Sequence, residues 1–237
     1  MRHVLLALGL AGCGRVGFDA GGGDGSGPDV AAACGHLFCD DLNGGAMSPL
    51  WSGTEIDQAG NLLLDPGFGR TGGSLEAFGD TGSSRAVRFV DVFPSTASDS
   101  WARLMLFAPS AETLDMEPVE IMDAGRSIEY VFSLYDTDVD IHAHGVAGDF
   151  NVTQPNAVPR DRWTCYELHV KWASDASGAV ELYQDGVRVA QTAAVTNASG
   201  GRTAPRLAIG IVAKPTTGAQ RIWADDVAAD TTRIGCP

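Results

Sequence analysis

The sequence is short of positive charge. It carries 16 Lys and Arg against 30 Asp and Glu, a net charge of −14, and Lys171 and Lys214 are its only lysines. That balance disfavours nucleic acid as a partner, because phosphates need a basic face. No apolar run approaches the roughly 20 residues of a membrane-spanning helix. No CxxC pair is present, and the cysteines are scattered, which argues against structural zinc. No long stretch holds the helical hydrophobic period of about 3.6 residues. Nor is there an internal repeat of propeller or solenoid period. What is present is enough apolar material for a core, 44% of the chain, and 30 Gly with 11 Pro, which favour many turns over long helices.

The first residues read as an address rather than as fold. Met1-Arg2-His3 is a basic start, Val4 to Leu10 a short apolar run, and Ala11-Gly12-Cys13 follows. This is the build of a secretory signal. Leu10-Ala11-Gly12-Cys13 resembles the bacterial lipobox, which implies cleavage after residue 12 and lipid on Cys13. An ordinary signal peptide with a chance cysteine is the alternative. Each buried methylene of a lipid chain contributes about 0.8 kcal/mol, so several chains hold firmly. Gly14 rather than Asp after the cysteine implies the outer membrane. Residues 13–33 then form a tether rich in Gly, Asp and Ala. The folded domain is expected over 34–237, as a monomer that touches the membrane only through its anchor.

Of the five cysteines, assigning Cys13 to lipid leaves Cys34, Cys39, Cys165 and Cys236. Outside the cytoplasm an even set suggests two disulfides. The preferred pairing is Cys34–Cys39 with Cys165–Cys236; the runner-up joins Cys39 to Cys236. Closing the loop from Cys165 would stabilise the fold by about 4 kcal/mol in the chain-entropy picture.

The domain reads as many short strands. Candidates are Arg85 to Phe93, Trp101 to Phe107, Ser127 to Tyr135, Trp163 to Trp172, Val180 to Gln184, Val187 to Ala190, Arg206 to Ala213 and Arg221 to Ala228. Asp185-Gly186 between two of them is a hairpin signal. Alternation places Ile128, Tyr130, Phe132 and Leu134 on one face, and Tyr166, Leu168, Val170 and Trp172 on one face. The fold class is all-β, an antiparallel sandwich or barrel.

Three segments in order resemble the concanavalin A-like lectin/glucanase jelly roll, which includes laminin-G-like domains and polysaccharide-active enzymes. They are Phe38-Cys39-Asp40-Asp41-Leu42-Asn43 with Trp51, then Arg162-Trp163-Thr164-Cys165-Tyr166-Glu167 with Leu182-Tyr183-Gln184-Asp185-Gly186, and finally Ile222-Trp223-Ala224-Asp225-Asp226-Val227 with Arg233-Ile234-Gly235-Cys236. The resemblance spans about residues 34 to 237. It implies a two-sheet sandwich, first and last strands in one sheet, and a sugar site on a sheet face. It also implies a structural calcium, for which Asp41 and Asp226 are the candidate ligands; no other cofactor is expected.

Opposite the two apolar faces lie the candidates for chemistry. One set is Trp163, Cys165, Glu167, His169 and Lys171; another is Glu129, Ser133 and Tyr135; Asp140, His142 and His144 share one parity. With Arg88 and Arg103 these groups suit a glycan-binding surface or general acid–base work. The competing reading is the polar side of a half-solvated sheet. His142 and His144 form an H-x-H pair, and Asp136, Asp138 and Asp140 share a face, but neither set has an evident completing ligand. Glycosidases need a paired carboxylate set. Glu120 and Asp123 are three apart, which on a regular strand points them to opposite faces. The lyase-type Q-I-H strand is represented only by Asp140-Ile141-His142. The sequence therefore favours an envelope lipoprotein whose sandwich binds carbohydrate or a cell-surface partner. The rival is a polysaccharide-degrading enzyme, lyase before hydrolase, using His142, Glu167, His169 and Tyr135. A structural or adhesion protein without a small ligand is the third reading.

Overall fold

The computed structural model describes residues 34–43, 47–57, 60–80, 84–144, 150–195, 197, 204–214 and 218–237. The signal, Cys13 and tether expected over 1–33 lie outside the described residues. The regular elements are all strands: β1 (Phe38–Asp40), β2 (Gly53–Asp57), β3 (Gly60–Asp65), β4 (Ser74–Gly79), β5 (Ser84–Asp91), β6 (Asp99–Phe107), β7 (Asp115–Met122), β8 (Glu129–Tyr135), β9 (Asp138–His144), β10 (Phe150–Gln154), β11 (Trp163–Lys171), β12 (Gly178–Gln184), β13 (Val187–Val195), β14 (Arg206–Ala213) and β15 (Gln220–Asp230). Among the described residues no helix is long and apolar enough to cross a membrane.

Two antiparallel sheets form the sandwich. The first runs β13-β12-β11-β6-β15-β4-β3, and the second β10-β9-β8-β7-β14-β5-β2. β15 is long enough to pair with β4 over its first half and with β1 near its end, so the first and last strands are neighbours, as the resemblance implied. The apolar alternation of β8 and β11 is what joins the sheets. Tyr130, Phe132 and Leu134 from one, and Tyr166, Leu168 and Val170 from the other, are buried in a single core. Phe132 and Tyr166 meet across the interface at 4.6 Å between ring centroids. Each such side chain contributes on the order of 1.5–3 kcal/mol by leaving water.

Local chemistry fixes the ends of the strands. Asp185 and Gly186 both have positive φ, 48° and 82°, which is the primed turn that matches strand twist and that Asp-Gly accommodates. Both disulfides of the preferred pairing are present. Cys34–Cys39 closes the segment before β1, and Cys165–Cys236 ties the chain end to β11. Two disulfides fit an exported protein.

Candidate functional site

Each sheet has an outer face, and the two differ. On the first sheet the outer face is roofed. Phe68, from the β3–β4 connection, sits among Phe107, Trp163 and Trp223 at 4.8 to 5.8 Å between ring centroids. The same connection is held by Arg70, whose amide donates to Asp225 and whose guanidinium donates to Asp226. Further along, residues 231–237 cross the sheet as a strap. Arg233 and the Gly235 amide donate to Glu167, which is fully buried. Arg233 lies 4.1 Å over the Tyr183 ring. Arg103 donates to the carbonyls of Asp226 and Gly235. His169 stacks on Trp101 at 3.9 Å and hydrogen-bonds Asp99 and Glu181.

These contacts correct three expectations. Glu167 and His169 do not join His142, because β11 pairs with β6 and β12 while β9 pairs with β8 and β10. The two sets look out from opposite sides of the sandwich. Arg103 belongs with Glu167, on the roofed side. Arg88 joins neither set: it shares parity with the buried Ala86 and Val90 and is in register with the core residue Ile209, so it points inward.

The calcium expectation meets an arginine. Asp41 and Asp226 line a cavity of about 330 Å³ with Asp40, Arg103 and the Cys34–Cys39 bridge. Arg70 already neutralises Asp226 at 2.6 Å. Asp40 accepts from the Leu42 and Ser48 amides and from Trp51 Nε1. Among the described residues no three His, Cys, Asp or Glu converge as a metal set. Of the two candidate ligands, Asp226 is paired with Arg70 and Asp41 accepts the Asn43 amide on one oxygen, so the set offers too few carboxylates to fit a calcium ion well.

The outer face of the second sheet carries two cavities among the described residues, with His142, Glu117 and Asp140 themselves buried beside them. Across β8 and β9 the register sets Glu129 beside His144, Val131 beside His142, Ser133 beside Asp140 and Tyr135 beside Asp138. The sequence candidates Glu129, Ser133, Tyr135, Asp138, Asp140, His142 and His144 therefore share this face. Two residues that were not among the site candidates complete it, Glu117 of β7 and Lys214 just after β14. Tyr135, His142, His144, Asn151 and Lys214 line a cavity of about 380 Å³. A second cavity of about 200 Å³, lined by Asp57, Arg85 and Arg126, continues from Lys214. Lys214 lines both, so the two cavities lie side by side and are together termed the groove.

A bulge explains why Glu117 was missed. Between Met116 and Val119 the register of β7 against β8 shifts, so that Met116 and Val119 face the core while Glu117 and Glu120 both face out. Pro118, which cannot join the ladder, is the sequence signal for such a bulge. The opposing irregularity lies in β14. There a Cβ on Gly210 would come 2.2 Å from the Ala86 carbonyl oxygen, so only glycine permits the approach.

His142 is the centre of the groove's electrostatics. Its Nδ1 contacts Asp140 at 3.0 Å and Ser133 Oγ at 3.3 Å, and its Nε2 lies 3.5 Å from Glu117. Burial disfavours the charged ring, but the hydrogen bonds and charges of Asp140 and Glu117 outweigh it and raise the pKa to about 9. His142 is therefore a cation at neutral pH. Burial likewise opposes ionisation of Glu117, yet His142 and Lys214, which donates to the same carboxylate, hold it below its usual range. Glu117 raises Lys214 in turn, against burial. Burial pushes the Tyr135 hydroxyl up, so it stays protonated. Both ring nitrogens of His142 face carboxylates, which leaves no lone pair for the H-x-H metal. At the far end Arg85, also buried, is kept charged by Glu120, through two hydrogen bonds, and by Glu55. Arg126 is exposed beside Glu129 and Glu120.

A polysaccharide lyase family model matches residues 120–228. That span carries Tyr135, His142, His144 and Lys214. No curated protein matches the chain in sequence. Among solved structures, an endo-β-1,4-glucuronan lyase from the fungus Trichoderma reesei superposes with a TM-score of 0.65 at 18% identity, over 83% of this chain and 96% of the other. The cellulose-induced protein Cip1 gives 0.65 at 16%, over 84% and 100%. The binding domain of botulinum neurotoxin serotype D/C gives 0.59 at 9%, over 84% of this chain and 49% of that one. At these identities the structures establish the fold, an all-β jelly-roll sandwich shared by carbohydrate-active and receptor-binding proteins, while the family model marks residues 120–228, with Tyr135, His142, His144 and Lys214, as polysaccharide-lyase-like.

Proposed function

We propose that the protein is an exported lyase that cleaves a uronate-containing polysaccharide in the groove of the second sheet. The supporting observation is the convergence, within a stretch that matches polysaccharide lyases, of two cations with two groups able to move protons. In β-elimination the proton on the carbon next to the uronate carboxylate is removed. Its electron pair forms a double bond to the adjacent carbon, and the glycosidic oxygen on that carbon leaves with a proton. His142 and Lys214 supply positive charge to the substrate carboxylate, which stabilises the carbanion-like transition state. His144, exposed at the groove wall, is the base. Tyr135, kept protonated by burial, donates to the leaving oxygen. Arg126 offers a cation to a neighbouring uronate.

The test is ultraviolet detection of the unsaturated uronate product on glucuronan, alginate and pectate, with His142→Ala and Tyr135→Phe as controls. Product from the wild type alone supports the assignment. No product on any polyuronate overturns it. In that case retention on a glycan affinity gel without turnover returns the carbohydrate-binding reading.

The lipobox supports anchoring by Cys13, and pairing of the other four cysteines is consistent with it. Cys13→Ala is expected to release the protein from the membrane pellet; continued retention overturns the anchor.

A further inference from the structure

Asp140 is fully buried behind His142. One of its carboxylate oxygens faces His142 Nδ1 at 3.0 Å, and the other accepts the Thr153 hydroxyl at 2.8 Å. Thr153 lies on β10 directly opposite Asp140, so two adjacent strands fix the carboxylate before it meets the imidazole. A carboxylate ion only accepts hydrogen bonds, which requires a proton on Nδ1. The ring is then turned with Nε2 towards Glu117 and the groove. Neither Asp140 nor Thr153 lines the groove cavity.

We propose that Asp140, braced by Thr153, is a positioning residue that sets the orientation and proton placement of His142 without touching substrate. This rests on the lyase reading for its effect on turnover, but not for its effect on the ring. The charged and titratable groups around His142 are Asp140 on its own strand, Glu117 from β7, and His144, whose ring lies at 5.0 Å. Lys214 acts on it through Glu117, and Tyr135 shares the cavity. Ser133 Oγ, a neutral partner, is within 3.3 Å of Nδ1. Of the two carboxylates, Glu117 is shared with Lys214, whereas Asp140 faces no other cation among the contacts described. Removing Asp140 therefore removes the partner most dedicated to the ring.

The experiment follows the imidazole of His142 by NMR across pH in the wild-type protein and in Asp140→Asn, Asp140→Ala, Thr153→Val and Thr153→Ser. The Asp140 variants are expected to move the His142 midpoint to lower pH, Thr153→Val less so, and Thr153→Ser is expected to restore the wild-type curve. In turnover, Asp140→Ala is expected to lower kcat about a hundredfold with KM little changed, the size of loss that a displacement on the order of 1 Å produces. The alkaline limb of the rate profile moves with the NMR midpoint. An unchanged His142 midpoint in the Asp140 variants overturns the proposal, whatever the activity. If the Asp140 variants fail to fold, the Thr153 pair decides: identical curves for Val and Ser overturn it. A shifted midpoint in a protein that turns over no polyuronate supports the positioning role and overturns the lyase reading instead.

Discussion

The two outer faces of the sandwich draw on the same residue types and put them to different use. On the first sheet His169, Glu167, Arg103 and Trp101 are covered by a strap and a loop, and their polar atoms are matched to protein partners. On the second, His142, Tyr135, Lys214 and Glu117 gather at the groove. Polar side chains opposite an apolar face are therefore not enough to mark a site. Among the described residues, what distinguishes the faces is that residues 231–237 and the β3–β4 connection cover the first, while cavities lie on the second. A carboxylate such as Glu167, fully buried and saturated by an arginine and a backbone amide, is fold; Lys214 is paired with Glu117 but remains part-exposed at a cavity wall, where it can also meet a ligand.

The largest expected difference between the faces is catalytic. His142→Ala is expected to lower turnover of a polyuronate by a factor of about 10² to 10⁴, the range for loss of an acid–base or charge-stabilising group. His169→Ala is expected to leave turnover intact and lower stability by about 1–3 kcal/mol, as its bonds to Asp99 and Glu181 are lost. Equal effects of the two on steady-state kinetics would erase the distinction. Next in size is the strap. Replacing Cys165 and Cys236 by Ser is expected to cost about 2–5 kcal/mol in denaturant unfolding, with the groove still active where the protein stays folded.

A pH effect should separate the faces further. His142 has its pKa raised from the ordinary histidine value to about 9 in the folded state. Its stabilising contribution is thus complete below about pH 6.5 and is lost as pH rises through about 9. The thermal midpoint of the wild type is expected to fall across that window, and His142→Gln is expected to flatten the fall. The smallest effect is predicted for Arg162→Ala. Its bond to Asp185 is exposed on both sides and is worth less than about 1 kcal/mol.

Much of this was legible in the sequence, and what was not has identifiable causes. The alternation in β8 and β11 and the Asp185-Gly186 turn followed from local pattern; cysteine arithmetic gave the number of disulfides, and of the pairings left open the preferred one is present. The gathering of Glu129, Tyr135, Asp140, His142 and His144 followed from parity. Parity says which way a residue points on its own strand, but not which sheet the strand joins. That is why Glu167 and His169 were grouped with His142, and why Arg88, on the inward parity of β5, was grouped with them too. Parity also fails at a bulge. Glu120 and Asp123 were read as lying on opposite faces of one strand, but β7 ends at Met122 and Asp123 caps the following turn through Ser127 and Ile128. The same spacing at Glu117 and Glu120 gives the opposite result because Pro118 interrupts the ladder. Lys214 was visible only as one of two lysines; its place depends on β14 lying between β7 and β5.

That placement of the last strands has a consequence for the order of assembly. β14 separates β7 from β5 at the heart of one sheet, and β15 separates β6 from β4 in the other while carrying β1 along its edge. Both sheets are thus two half-sheets until the final segment of the chain arrives. A nascent chain lacking it has unpaired strand edges in every fragment and no closed core, and the pairings still to form are long-range ones, the slowest to form. Truncation before β14 is therefore expected to leave each sheet as two unjoined halves, which makes β14 and β15 the keystones of the sandwich.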